Sequence, residues 1–431
     1  MAKQGAKGAM PRLRFPEFRN APEWENAILG DLSEVVRGGS PRPIDGFLTN
    51  TADGLNWLKI GDVDKEAKYV THTAEKVRPE ALSKTRVVNP GDLILSNSMS
   101  FGRPYILQIK TCIHDGWIAI TGIAQRAGRD FLYYSISAPS SQNYFVDNAA
   151  GSGVQNLNAD IIKALPVYFP SRPEQQKIAD CLTSLDEVIA AQARKVEALK
   201  THKRGLMQQL FPREGETRPR LRFPEFRDAP EWITRSLGEL MVIGSSRRVH
   251  ESDWVTTGVP FYRARELVAI GKGEPINPLF ISEALYAEFS RLTGEIDEGQ
   301  LLVTGVGSIG IPYLVKSGDR FYFKDGNIIW LKNGQVDLSG DFLFRLFESE
   351  YVQGQIATMA GIGTVGTYTI ENAKRTIASF PVDKREQQRI ADCLSFLDVQ
   401  ITAESRQFAA FKTHKQGLMQ QLFPSPEDVA A

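Results

Sequence analysis

The sequence predicts an α+β chain built twice over: two mixed α/β domains separated by two long helices that pair as an antiparallel coiled coil. Three observations carry this. A framing sequence recurs about one half-chain later, β-rich runs broken by turn residues fill each half, and a long apolar stripe of helical period closes each half. The chain has 431 residues, enough for two or three domains of ordinary size.

The repeat comes first. Residues 11–32 read PRLRFPEFRNAPEWENAILGDL and residues 219–240 read PRLRFPEFRDAPEWITRSLGEL, with 16 of 22 positions identical. Residues 174–212 and 386–424, which both begin EQQ and end GLMQQLFP, share 26 of 39 positions. Solenoids stack at least three short repeats, whereas two copies of this size mean a duplicated domain and pseudo-twofold symmetry. The stretches between, 40–170 and 245–381, diverge. They keep a register in which NPGDLILSNSMSFGRPYIL (89–107) faces DEGQLLVTGVGSIGIPYLV (297–315), and each has a glycine-rich loop before a Phe-Pro, GSGVQNLN (151–158) and GIGTVGTYT (361–369).

Within the first half the strand-like runs are DLILSNS, YILQI, IAITGIA and LPVYF; within the second they are QLLVTGV, RFYFK, NIIWLK and TIASFPV. DFLYYSIS and DFLFRLFES read as helices, with Asp130 and Asp341 as N-cap candidates. The repeated 39-residue segment opens at Pro173-Glu174, and Pro212 and Pro424 close its two copies. Its apolar positions are Ile178, Leu182, Leu185, Ile189, Val196, Leu199, Leu206 and Leu210, and in the second copy Ile390, Leu394, Leu397, Ile401, Phe408, Phe411, Leu418 and Leu422. Gaps of three and four give a period near 3.5, as in a helix packed on another long helix; about 36 residues make a rod of ~54 Å. The bland alternative is that each helix packs only on its own domain. The resulting boundaries are 11–170 and 219–381 for the domains and 171–212 and 382–424 for the helices.

Charge and chemistry exclude more than they select. With 51 basic and 51 acidic residues the net charge is +0, so any basic surface is local. Cys112, Cys181 and Cys393 form no CxxC pair, which fits a reducing cytosol. No apolar run reaches the ~20 residues of a membrane span, and MAKQGAKGAM reads as a short flexible tail without the apolar core of a secretory signal. GVGSIG (305–310) and GIGTVG (361–366) match GxGxxG, but the first is followed by the strand-like IPYLV, so turn glycines that admit a close neighbour explain them better than nucleotide binding. The five histidines have no HxxxH spacing, and there is no GxSxG elbow, Walker loop or adenine-methyltransferase motif. Nothing in the sequence supplies catalytic machinery or a metal site.

A nearly duplicated frame carrying two unlike payloads suits the fixed separation of two different readers. DNA is a natural partner, because its half-sites recur with a helical turn of ~34 Å. The LRFPEF…W…LG openings, the EQQ-x-IA-x-x-L-x-x-LD runs and the K-x-GLMQQLFP endings, each present twice and in order over nearly the whole chain, resemble the specificity (S) subunits of type I restriction–modification enzymes. That resemblance implies a non-catalytic, cytoplasmic subunit. Its two target recognition domains each read one half of a bipartite, asymmetric site in double-stranded DNA, and its helices set the gap and dock two methyltransferase subunits. Through these, restriction subunits join. S-adenosylmethionine, ATP and Mg²⁺ belong to the partners, and no cofactor to this chain. A two-headed protein scaffold without DNA contact is the rival reading, and a stand-alone nuclease a weaker one.

Arg and Lys pair with guanine, Asn and Gln with adenine, and small polar loops bring amides to phosphates. The candidates for DNA contact are therefore Arg42, Lys59, Asn97, Ser98, Arg103, Gln155 and Asn156 in the first half, and Arg247, Arg248, Arg263, Arg265, Ser308, Thr364 and Tyr368 in the second. Lys59 and Arg263 hold matching places. For every arginine the plain alternative is a surface ion pair.

Overall fold

The computed structural model describes residues 9–97, 101–149, 157–333, 338–361 and 366–425. The chain divides into two compact units, Met1–Ala193 with Arg406–Ala431, and Arg194–Ser405. Both long helices, Arg172–Leu210 and Lys384–Leu422, contribute to each unit.

In the first unit one sheet runs in the order Glu34–Arg37, Trp117–Thr121, Leu93–Ser96, Pro104–Leu107, Tyr69–Val70. A second runs Leu48–Thr49, Glu75–Val77, Leu55–Leu58, Thr111–Ile113, Arg86–Val88. Glu25–Ile28 pairs antiparallel with Pro166–Phe169. In the second unit the corresponding sheets are Val242–Gly244, Ile328–Lys332, Leu301–Thr304, Pro312–Leu314 and Trp254–Val255, Leu279–Ile281, Val259–Tyr262, Tyr322–Phe323, while Ile233–Ser236 pairs with Ile377–Phe380. Of the expected β-rich runs, DLILSNS, YILQI, IAITGIA, QLLVTGV and NIIWLK supply strands of the main sheets whose apolar residues are largely buried under helices and the second sheet, RFYFK is an edge strand, and LPVYF and TIASFPV each pair with one strand alone. The second unit adds Ala264–Lys272 and Glu283–Thr293 to its second sheet, with Tyr286 packed on Val259, Phe261, Ile281 and Tyr322.

The helices read from DFLYYSIS and DFLFRLFES span Arg129–Ser137 and Gly340–Glu348, but their caps differ from expectation. Gly128 and Ser339 are the N-caps, and the Ser339 hydroxyl accepts from the Phe342 N–H. Asp130 and Asp341 lie inside the first turn, where a carboxylate still favours the helix dipole. Gly305 behaves as a turn glycine: a Cβ there would meet the Tyr368 carbonyl oxygen at 2.6 Å, and the Tyr368 N–H donates to the Gly305 carbonyl at 2.8 Å.

The framing sequences fold into one motif, made twice. Arg14 clasps Glu174 with two bonds of 2.7 Å and donates to the Ala21 and Pro22 carbonyls, and the Trp24 indole donates to Glu174 at 3.3 Å. Arg222 clasps Glu386 at 2.6 Å twice and donates to the Ala229 and Pro230 carbonyls, with the Trp232 indole at 3.3 Å. Both glutamates are buried, in the first turn of a long helix. The following glutamines hold the neighbouring helix starts: Gln175 accepts from the Gly128 N–H and Gln387 from the Ser339 N–H.

The apolar stripe has two duties. At its ends it belongs to domain cores, as the bland alternative held: Ile178 and Leu182 join Trp24 and Phe131, and Ile390 and Leu394 join Trp232 and Phe342. Met419, Leu422 and Phe423 enter the first core, and Met207, Leu210 and Phe211 the second. Towards the middle helix faces helix. Val196 is buried, and Leu185, Ile189, Leu199, Leu397, Ile401, Phe408 and Phe411 are half-buried or better, while Leu206 and Leu418 pack against the second and first cores. Partners run in opposite directions within each unit. In the first, the start of the first helix shares its core with the end of the second, and Asp186 meets Lys415 at 2.5 Å. In the second, Lys195 meets Glu404 at 2.6 Å and Lys203 meets Asp398 at 2.7 Å. No helix of the described residues is long and apolar enough to cross a membrane.

Candidate nucleic-acid interface

Each unit presents an arginine on the loop after an edge strand of one of its two main sheets. In the first unit that loop leaves Glu34–Arg37 and carries Ser40 and Arg42. The turn His114-Asp115-Gly116, joining Thr111–Ile113 to Trp117–Thr121, meets it. Asp115 gathers the cluster: Ser40 Oγ donates to it at 2.7 Å, Arg42 at 3.2 Å, and His114 Nε2 lies 3.0 Å away. Arg37 and Asn97 donate to its backbone carbonyl at 2.9 and 3.1 Å. Burial works against charge on Asp115, but the Ser40 hydroxyl and the charges of His114, Arg37 and Arg42 outweigh it and hold its carboxyl below the usual carboxylate value. The Arg42 side chain is 81% exposed, tethered at one end and open elsewhere.

The second unit repeats the device with other letters. The loop after Val242–Gly244 carries Ser245, Ser246, Arg247 and Arg248, and the turn Lys324-Asp325-Gly326 precedes Ile328–Lys332. Arg248, 71% exposed, meets Asp325 at 3.2 Å. Ser245 and Ser246 donate to the Ile328 and Phe323 carbonyls, which pins the loop. Exposed Arg247 donates its backbone N–H to Tyr322 Oη at 2.8 Å and holds its guanidinium 5.8 Å from the Phe289 ring centre.

Lys59 and Arg263 do hold matching places. Each follows a strand that pairs in parallel with its neighbour, Leu55–Leu58 and Val259–Tyr262, and each N–H donates to a carboxylate three residues on, Asp62 at 2.9 Å and Glu266 at 3.0 Å. Both side chains are engaged: Lys59 with Glu75 at 2.5 Å, and Arg263 with Glu266 at 2.6 Å, which also accepts from Arg265 at 2.7 Å. Burial opposes charge on Glu266, but the Arg263 and Arg265 hydrogen bonds overcome it and keep the carboxyl below its usual value. Arg265 stays largely exposed, whereas Arg263 is the helix-start tether.

Other candidates fall elsewhere. Tyr368 is a correction: it is 0% exposed, its hydroxyl is 2.6 Å from Thr376 Oγ1, and it packs in the second core, so its ring reaches no groove. Asn97 is 2% exposed, with Nδ2 on the Asp115 carbonyl and Oδ1 without a partner among the described residues. Ser308 is exposed, and its carbonyl accepts from the Thr304 hydroxyl. Arg103 is half-exposed, 3.8 Å from Glu66. Ser98, Gln155, Asn156 and Thr364 lie outside the described residues. Sequence reasoning missed Asp115 and Asp325, although an Asp-Gly pair before an apolar strand recurs in both halves and marks the turn. Among the described residues no group of three His, Cys, Asp or Glu could hold a metal ion.

Each of the two α+β units thus carries an exposed arginine held by an aspartate of a turn. Residues 22–201 match the family model described as the type I restriction modification DNA specificity domain. The chain is 23% identical over 422 residues to the type I restriction enzyme MjaVIII specificity subunit of Methanocaldococcus jannaschii, covering 95% of this chain and 93% of that one. It is 26% identical over 161 residues, 37% of this chain and 38% of the relative, to the putative specificity subunit S.HindORF215P of Haemophilus influenzae. Its fold resembles the crystal structure of the S subunit from M. genitalium, with a TM-score of 0.58 at 14% identity over 96% of this chain and 99% of that one. A chain from a structure concerning complex assembly and conformational transition of the type I R-M system also gives 0.58, at 16% identity over 93% and 98%. Residues 22–201 thus carry the domain of type I restriction–modification specificity subunits, and the chain is similar to such subunits over nearly its whole length.

Proposed function

We propose that each unit reads one half of a bipartite, asymmetric DNA site. In this reading Arg42 and Arg248 are the leading base or phosphate contacts. The two long helices fix the unspecified gap and dock two methyltransferase subunits, through which restriction subunits join. The chain is cytoplasmic and performs no chemistry: S-adenosylmethionine, ATP and Mg²⁺ serve the partners. The observation that carries this is the arginine clasped by an Asp-Gly turn, Arg42–Asp115 and Arg248–Asp325, present in both units although the surrounding loops differ. A carboxylate that tethers one edge of a guanidinium leaves its other donors aimed and free, and a pre-aimed fork suits guanine or phosphate.

Neutral overall charge limits counterion release, so the isolated chain binds DNA weakly and the methyltransferase complex binds it tightly. Mapping methylated adenines in a host with and without this chain tests the reading. A split motif present only with the chain supports it, and an unchanged methylome contradicts it. Since the helix partners run in opposite directions, widening the gap calls for seven residues inserted between 185 and 200 together with a matching insertion in the second helix. The half-sites then stay the same while their separation grows.

A further inference from the structure

The first unit holds a second, unassigned basic site. A cleft of about 890 Å³ lies between its domain and the second long helix, lined by Lys65, Arg103, Lys412 and Lys415, with Glu66 as the sole carboxylate of its lining. The cations come from two sides: Lys65 and Arg103 from the domain, Lys412 and Lys415 from the helix. Glu66 is divided between Arg103 at 3.8 Å and Lys412 at 3.3 Å, both loose contacts, so it neutralises neither fully. Lys65 has no ion pair among the described residues. Lys415 is anchored by Asp186 at 2.5 Å and stands 5.5 Å from the Tyr134 ring centre, which fixes its position without burying it. Exposed Asn143 adds an amide to the rim.

The second unit repeats only the helix side: Lys200, Lys203 and Arg204 stand where Lys412, Lys415 and Gln416 do, but in the shared register Ile311 replaces the domain's Arg103.

We propose that this cleft binds consecutive phosphates of the duplex. The proposal rests on the DNA-reading function above. A backbone strand is favoured over an acidic protein segment by position: the Ser96 N–H donates to the Arg103 carbonyl at 3.1 Å, and the adjacent Asn97 holds the carbonyl of Asp115, the partner of Arg42, so a duplex read at Arg42 passes its phosphates along this cleft. Side chains that hold phosphates set register without reading sequence, so the cleft strengthens binding to every sequence alike.

The test uses the full chain with its methyltransferase subunits and fluorescence anisotropy on a duplex carrying the mapped site and on an unrelated duplex, across a salt series. The Lys65→Ala/Lys412→Ala variant weakens both duplexes by the same factor, about tenfold, and makes the log–log salt slope shallower by about two, one per lost phosphate contact. Lys200→Ala, the same helix position in the other copy, leaves affinity and slope as they were. Unchanged affinity and slope in the double variant, with wild-type binding intact, overturns the cleft but leaves DNA reading standing. Loss of methyltransferase co-elution with unchanged DNA affinity assigns the cleft to a protein and also overturns it. No wild-type binding to either duplex ends the DNA-reading function itself.

Discussion

Asp186 and Asp398 occupy the same place on the two long helices, and the two domains hold them differently. In the first unit Asp186 takes Lys415 and the Tyr134 hydroxyl, at 2.5 and 2.6 Å, and Lys68 stands behind, 3.0 Å from the same hydroxyl. In the second, Asp398 takes Lys203 at 2.7 Å and the Arg345 guanidinium at 2.5 Å, and Arg345 also reaches Glu348 and Ser395. Tyr134 and Arg345 stand at the same position of equivalent helices. The helical frame keeps its carboxylate and its lysine, while the domain supplies whichever donor it has. A dock shared by both halves, with an interchangeable neighbour, lets two unlike domains meet the helices through the same carboxylate.

The comparison can be broken at graded cost. The largest effect belongs to the part both units share. Glu174→Ala or Glu386→Ala strands a buried arginine and lowers unfolding free energy by about 3–5 kcal/mol, with equal falls in denaturation midpoint for both. Arg345→Ala costs less, roughly 1–3 kcal/mol, because Glu348 and Asp398 are partly solvated. Tyr134→Phe removes one neutral donor and costs about 1 kcal/mol. A Tyr134→Phe loss larger than that of Arg345→Ala would mean that the tyrosine joint, and not the ionic one, is the stronger.

The smallest effect is a pH signature. Glu266 is depressed in the folded state, so its contribution is complete above the ordinary glutamate pKa of about 4.3 and is lost as pH falls through its lowered value. Glu266→Gln removes this loss, and acid unfolding between pH 5 and pH 3 becomes shallower. An unaltered acid limb shows that the Arg263–Glu266–Arg265 cluster is not linked to folding.

Much of this plan was legible in the sequence because duplication makes it so. The recurring Arg14 and Arg222, Trp24 and Trp232, Glu174 and Glu386 were visible as repeated letters, though only folding shows that they form one buried clasp. The runs DLILSNS, IAITGIA, QLLVTGV and NIIWLK became inner strands buried on both faces, whereas LPVYF and TIASFPV pair with one strand alone and RFYFK lies at an edge. The stripe's double duty was not legible: period alone does not distinguish Ile178 in a domain core from Val196 between helices. At the candidate interface Arg42 and Arg248 were found by residue type, whereas their carboxylate partners arrive from turns some seventy residues away. Tyr368 misled because a tyrosine in a glycine-rich loop looks like a reader, and the glycine that admits its backbone lies in a different loop.

The central claim is that two separate heads each read their own letters, and methylated-adenine mapping with single-arginine variants tests it most directly. Arg42→Ala relaxes one half of the split motif and Arg248→Ala the other, each leaving the opposite half and the gap intact. Either substitution altering both halves, or neither altering any base, would contradict the account.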